Sequence, residues 1–319
     1  MKLALIFPGQ GSQTVGMGLE FYQNFPVAKK VFEEVDEALH QKLSKIIFEG
    51  SQEALTLTEN TQPALMAVSM AIVAVLEQEL GRKLTDVATL MAGHSLGEYS
   101  AHCASGTFSL ADTARLLRIR GRAMQKAVPV GQGAMAAILG PSLEDVEILA
   151  QDASEDDFGH KQACVIANDN SPGQVVVSGH KEAIDRAIKM ALERGAKRAL
   201  LLPVSAPFHS PLMQPAAWIM AEALAQTHGH NPRVPIISNV TTELELDLVS
   251  AKSLLVDQVT GRVRWRESIL TLKDHGVTYV VEIGAGKVLT GLVKRIDGDL
   301  TASAVNTPTD IEAFITLLK

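Results

Sequence analysis

The chain opens on an unbroken apolar run, Leu3 to Phe7, closed at once by Pro8-Gly9. A run this short, with no polar alternation, predicts a fully buried strand. Val27 to Leu43 carries many charges on one side, the pattern of an amphipathic helix. Gln62-Pro63 opens another helix, and Ala64 to Leu80 is apolar enough to be largely buried. Val87 to Ala92 is the next strand, followed at once by Gly93-His94-Ser95-Leu96-Gly97 and a helical stretch. Strands alternating with helices predict a mainly parallel sheet covered on both faces.

The middle of the chain has a different rhythm. Ala134 to Leu139 reads as a strand, then come a helix from Ser142 and a strand at Cys164-Val165-Ile166. Asn168-Asp169-Asn170-Ser171-Pro172-Gly173 reads as a turn leading to a strand at Gln174 to Ser178. A helix from Lys181 to Arg194 and a last strand from Arg198 to Val204 complete the order β-α-β-β-α-β, the ferredoxin-like pattern. The expected fold is α/β: a large domain with a mainly parallel sheet (residues 1–130 and 205–319), interrupted by a small ferredoxin-like α+β insert (131–204). In the large domain, further strands are expected near Val234–Val240 and Val277–Ile283.

Composition narrows the function. With 46% apolar and 20% charged residues the 319-residue chain is an ordinary globular one, able to bury a core. The net charge of −7 argues against a general binder of nucleic acid or anionic membranes. Two cysteines, Cys103 and Cys164, cannot make a disulfide framework or a cysteine-rich zinc site, and fit a reducing compartment. The N-terminal apolar stretch is too short for a secretory signal, and no apolar run is read as long enough to span a bilayer. A soluble cytoplasmic protein is expected.

Four features carry candidate chemistry. Gly93-His94-Ser95-Leu96-Gly97 is a G-x-S-x-G sequence between strand and helix, the context of a nucleophile elbow. There the glycines admit a strained turn, the helix dipole points at Ser95, and the Leu96 N–H can donate to an oxyanion. Among nine histidines, His209 differs: Pro207 and Pro211 bracket it, whereas His40, His160, His180, His228, His230 and His275 lie in polar segments. Ser210-Pro211 reads as a helix start, whose positive end would keep a neighbouring imidazole neutral, as a base must be. Asp169 lies between Ser95 and His209 in sequence, but in the expected turn of the insert, so no acid is evident to complete a triad.

The third feature is Arg120. In a helix that Ser109 and Asp112 can cap, Leu116, Ile119, Ala123, Met124 and Ala127 make one apolar face with Arg120 at its middle, while Arg115, Arg118 and Arg122 project elsewhere. A guanidinium so placed needs a partner, either a protein carboxylate or an acid group arriving with a substrate. The fourth is the loop Phe7 to Gln13. Thr14 replaces the third glycine of a dinucleotide fingerprint, but such a loop can offer a backbone N–H as a second oxyanion donor. Gly284-Ala285-Gly286-Lys287 is likewise no P-loop, because Val281 and Val288 stand where glycine and Ser or Thr are required.

Taken with Asn170-Ser171-Pro172-Gly173-Gln174 and Glu282 to Leu289, these motifs resemble, in order and from Leu3 to about Asn306, malonyl-CoA:acyl carrier protein transacylases. The same fold serves acyltransferase domains of polyketide and fatty-acid synthases. The resemblance implies a hydrolase-like large domain, with Ser95 as nucleophile, His209 as base and Arg120 as clamp for the malonyl carboxylate. It also implies an oxyanion hole from the Gln10 and Leu96 amides, and a backbone carbonyl of Gln258 orienting His209. The expected reaction is ping-pong transfer of malonyl from malonyl-CoA to acyl carrier protein, with no metal or cofactor, by a monomer. Phe208 would crowd the malonyl α-carbon, and Lys197-Arg198 and Lys287 with Lys294-Arg295 are candidate contacts for the carrier or for CoA phosphates. The alternatives are a serine esterase or thioesterase using the same serine and histidine, and a polyketide-pathway acyltransferase.

Overall fold

The computed structural model describes residues 1–204 and 206–318; the expected boundaries at 205 and 319 fall outside them. Among the described residues, ten strands form two sheets: β1 (Leu3–Phe7), β2 (Leu90–Gly93), β3 (Gly133–Leu139), β4 (Cys164–Ser171), β5 (Gln174–His180), β6 (Arg198–Leu201), β7 (Ile236–Ile237), β8 (Leu244–Glu245), β9 (Tyr279–Ile283) and β10 (Thr301–Val305). The larger sheet has the order β10-β9-β1-β2-β7-β8 and is parallel except at β7–β8. The smaller one has the order β4-β5-β3-β6 and is antiparallel throughout.

Strand β1 shows why its sequence is uninterruptedly apolar. Leu3, Leu5 and Phe7 enter the core on one face of the sheet, Ala4 and Ile6 the core on the other. The first core holds the helix Thr58–Leu80; the second holds Trp265, Ile269 and Leu272 from the helix Trp265–Asp274. Contrary to the expectation that no run reaches bilayer-spanning length, Thr58–Leu80 is long and apolar enough to do so, but it is mostly buried in this core. Its start also differs from the expected Gln62. The Leu57 carbonyl accepts from Asn60 and Thr61 N–H (2.8 and 2.9 Å), so a full turn precedes Pro63.

Other boundaries moved for local reasons. The turn expected at 168–173 shrinks to Pro172-Gly173, because β4 continues through two register irregularities to Ser171 and puts Asp169 on a strand. The strand expected at 234–240 is reduced to β7, as Ser238 closes the hairpin to β8 (N–H to Glu243 O, 3.0 Å) and Asn239 turns to the elbow. The small sheet with its helices Leu143–Ala153 and Lys181–Glu193 has its own core, including Ile138, Val146, Val177 and Ile184.

Candidate active site

β2 ends at Gly93, and the helix Leu96–Ala104 begins immediately beyond Ser95, which is held at φ 53°, ψ −110°. A side chain there is strained, and the neighbouring glycines make the turn possible. A Cβ on Gly93 would lie 1.9 Å from the Gly97 carbonyl oxygen, and one on Gly97 would lie 2.2 Å from that of Phe7. Three hydrogen bonds hold the strained peptide. Ser95 N–H donates to Asn239 Oδ1 (2.8 Å), Asn239 Nδ2 donates to Gly93 O (2.7 Å), and Gln258 Nε2 donates to Ser95 O (2.9 Å).

The Ser95 hydroxyl lies 2.8 Å from His209 Nε2. On its other nitrogen, His209 faces two carbonyls, Gln258 O at 2.9 Å and Gly261 O at 3.1 Å, so Nδ1 carries the proton and Nε2 is free to accept the serine's. His209 is buried and sits at φ 55°, a left-handed conformation unusual outside glycine. Burial first, then the Arg120 cation, push its pKa down to about 3. Ser210-Pro211 does open a helical stretch, since the 3₁₀ turn Pro211–Met213 runs straight into the helix Gln214–Gln226, but Ser210 Oγ donates to Pro207 O (2.7 Å) instead of capping it. Among the described residues, no acid stands behind the histidine. Asp169 is buried on β4 and pairs with Arg266 (2.8 Å).

Arg120 is 1% exposed. Its Nη1 donates to Gln62 Oε1 (2.9 Å); its Nη2 donates to Gln258 Oε1 (2.8 Å) and to Ser95 Oγ (3.1 Å). The guanidinium carbon is 5.6 Å from the centre of the Tyr99 ring, a cation–π arrangement. Among the described residues no carboxylate forms an ion pair with it; every hydrogen-bond acceptor is neutral. Leu116, Ala123 and Met124 of the expected stripe are buried and Arg115 and Arg122 are exposed, as expected, but two positions depart from it. Ile119 is 37% exposed, and Arg118, expected outside, is buried against Asn60 (2.9 Å) and Glu59 (3.7 Å). The cause is that this helix, Leu110–Lys126, packs against both Thr58–Leu80 and Gln214–Gln226, so its buried face centres on Leu116, Leu117, Arg120 and Met124.

A cavity of about 510 Å³ opens over these groups. Gln10, Leu96 and Phe208 line it together with Ser95, Arg120 and His209, and Met124 and Met135 contribute apolar wall. Neither the Gln10 nor the Leu96 amide donates a hydrogen bond to any described residue, which leaves both for a ligand oxygen. Gly9 lets this loop pass the elbow, since a Cβ there would lie 2.6 Å from the His94 carbonyl oxygen. His94 itself reaches Asn170 Oδ1 (2.8 Å) and packs 5.5 Å from the Trp265 ring. None of Lys197, Arg198, Lys287, Lys294 and Arg295 lines the cavity.

Sequence reasoning missed the amides. Gln62, Asn239 and the side chain of Gln258 fix the arginine and the elbow, yet no spacing marks them out. It also passed over His102, which is fully buried beside Glu98 and Glu245. Those three alone, among the described residues, cluster closely enough to be considered for a metal ion.

This arrangement can pass a serine proton to a neutral histidine beside a cation that has no acid partner among the described residues. The family profile for the acyl transferase domain matches residues 4–302. The chain belongs to the acyl transferase family. This acyltransferase is 46% identical over 318 residues to the malonyl CoA-acyl carrier protein transacylase of Bacillus subtilis strain 168, covering 100% of this chain and 98% of that one. Among solved structures, the acyl-carrier-protein-S-malonyltransferase of Bartonella henselae superposes with a TM-score of 0.96 at 55% identity, covering 100% of this chain and 99% of that one. A malonyl-transacylase solved in complex with a type II polyketide synthase acyl-carrier protein gives 0.94 at 40% identity, covering 99% of this chain and 100% of that one.

Proposed function

We propose that the chain transfers a malonyl group from malonyl-CoA to the phosphopantetheine thiol of acyl carrier protein in fatty-acid synthesis. The observation that carries this reading is Arg120, a buried cation bound only to neutral acceptors and 3.1 Å from the Ser95 hydroxyl. A substrate bringing its own carboxylate supplies a directly bonded ion-pair partner, and a bidentate pair then selects it over neutral acyl groups.

Ser95 Oγ gives its proton to His209 Nε2 and attacks the thioester carbonyl, whose oxygen takes the Gln10 and Leu96 N–H groups. As the intermediate collapses, the C–S bond breaks and CoA leaves with the proton from His209. The malonyl-serine ester waits with its carboxylate on Arg120. The carrier thiol then loses its proton to His209 and attacks the ester carbonyl, and Ser95 leaves with that proton. Carbonyls at Nδ1 hold the tautomer without a full negative charge, so the pair works as a dyad. Thioester is exchanged for thioester, which needs no energy source, metal or redox cofactor. Phe208 borders the cavity, where it would crowd an α-methyl group.

The same reading divides the molecule into a hydrolase-like domain (1–130 and 205–319) and a ferredoxin-like insert (131–204), supported by the β4-β5-β3-β6 order. It has the enzyme act in the cytoplasm, in keeping with two unpaired cysteines. The test is an intact mass after brief mixing with malonyl-CoA. One malonyl adduct is expected, absent in Ser95→Ala; an adduct that survives that substitution defeats the reading.

A further inference from the structure

Behind the elbow lies a polar cluster that the transfer reaction does not use. Glu98, one turn into the elbow helix, is fully buried, as are His102 and Glu245. Glu98 Oε2 accepts two hydrogen bonds, from Gln258 Nε2 (2.9 Å) and from Asn239 N–H (3.0 Å). Those residues are the ones that hold Ser95 and Arg120. Gln258 turns its Oε1 to Arg120 and its Nε2 to Ser95 O, while Asn239 holds Ser95 N–H and Gly93 O.

We propose that Glu98 is a positioning residue for Arg120 and the elbow: it fixes the Gln258 amide with Oε1 toward the guanidinium, and it shares a single proton with Glu245. Turned over, that amide would face its NH₂ at the arginine's donors and its oxygen at Glu98 Oε2 and Ser95 O. Without Glu98, Ser95 O and the arginine's own Nη2 are left to oppose the flip, and the amide loses one of the acceptors that hold its Nε2. The shared proton follows from packing. Ligand atoms of Glu98, Glu245 and His102 lie within 4.8 Å of one another in the buried interior, where two carboxylates cannot both stay ionised. Glu98 Oε1 takes no N–H or O–H from elsewhere in the described residues. Burial and the neighbouring Glu245 hold Glu98 well above the usual carboxylate range, and burial brings Glu245 up to about 7. His102, pushed by burial down to about 4, is neutral; its Nε2 is 3.0 Å from Glu245 Oε2 and its Nδ1 3.2 Å from Thr107 Oγ1. The result is one negative charge near Arg120 that occupies none of the guanidinium's hydrogen-bonding positions.

The kinetic part of this inference rests on the malonyl-transfer reading; the proton does not. The experiment uses full-length wild type, Glu98→Gln and Glu98→Met. It measures rates of Ser95 acylation by malonyl-CoA and acetyl-CoA, and infrared difference spectra at pH 7. Glutamine keeps an acceptor for the two N–H groups and a donor for Glu245, so E98Q should hold the malonyl-to-acetyl ratio within about threefold of wild type. E98M should lower the ratio by about tenfold, the scale of one hydrogen bond to a charged group. The wild-type-minus-E98Q spectrum should show the carbonyl band of a protonated carboxylic acid. A folded E98M with the wild-type ratio overturns the proposal, as does E98Q impaired like E98M. Absence of the band overturns it too, and so does a stoichiometric divalent ion found by metal analysis. Should E98M fail to fold, the E98Q ratio and the band decide. Should malonyl-CoA not acylate wild type at all, the transfer reading fails while the band still tests the pair.

Discussion

The base, His209, does not titrate near neutrality. Its pKa of about 3, against an ordinary value of about 6.5, leaves the base unprotonated throughout the neutral and mildly acidic range. Ser95 acylation by malonyl-CoA, measured by quenched flow from pH 8 to pH 5, should therefore show no step near 6.5; a tenfold fall centred there would contradict the assigned burial. The same shift affects stability with the opposite preference to an ion-paired histidine. The unfolded chain binds this proton below about 6.5 and the folded one does not, so the contribution is present above 6.5 and is lost as pH falls toward 3. Asn239 makes a second test at this scale. Asn239→Ala removes the acceptor of Ser95 N–H and the donor to Gly93 O, so it should cost about 2–4 kcal/mol in denaturant unfolding and slow acylation. An unchanged midpoint and rate would show that the strained serine needs no such support.

Residues whose role leaves a backbone mark were legible in the sequence. Two glycines around Ser95 and two prolines around His209 advertise forced turns, and an arginine in an apolar face advertises an unpaired charge. Gln62, Asn239 and Gln258 leave no mark, because a neutral amide is equally at home on a surface. His209's positive φ was equally hidden, since flanking prolines constrain its neighbours and not its own left-handed turn.

At the scale of elements, the site depends on how closely two helices approach. Gly121 follows Arg120, and a Cβ there would lie 2.7 Å from Glu59 Cα and 2.7 Å from Thr58 O. That contact is backbone, so the helices would have to part. Gly121→Ala should destabilise the protein by about 1–3 kcal/mol and stretch the Arg120–Gln62 bond, raising the malonyl-CoA concentration needed for half-maximal acylation. Wild-type stability and saturation would mean that the approach is not tight. Element types were legible from apolar spacing, while several ends were not. β7 stops after two residues because Asn239 serves the elbow, and Thr58–Leu80 starts early because the Leu57 carbonyl closes a turn ahead of Pro63.

Across the whole molecule, the two sheets meet at the segment that holds the base. Val263 N–H donates to Ala167 O (2.8 Å), and Asp169 N–H donates to Val263 O (3.0 Å), joining β4 to the stretch just beyond Gln258 and Gly261. Arg266 secures the seam on Asp169 (2.8 Å), and Arg262 reaches Glu147 (2.7 Å). Asp169→Ala should lower stability by about 1–3 kcal/mol and slow acylation by malonyl-CoA and acetyl-CoA alike, because it disturbs His209 rather than Arg120. A loss confined to malonyl-CoA would contradict that route. From sequence, Asp169 read as a turn residue, since Asn, Ser, Pro and Gly around it are turn formers. The register irregularities that keep it in the strand depend on pairing with β5 and with Val263, which no local pattern encodes.

The central claim is that the cation beside Ser95 waits for a substrate's acid group. The direct measurement is the rate of Ser95 acylation by malonyl-CoA and by acetyl-CoA, in wild type and in Arg120→Ala, followed by intact mass. Arg120→Ala should lose about a hundredfold or more with malonyl-CoA and little with acetyl-CoA, reversing the preference. Malonyl loading at the wild-type rate in that variant would contradict the account.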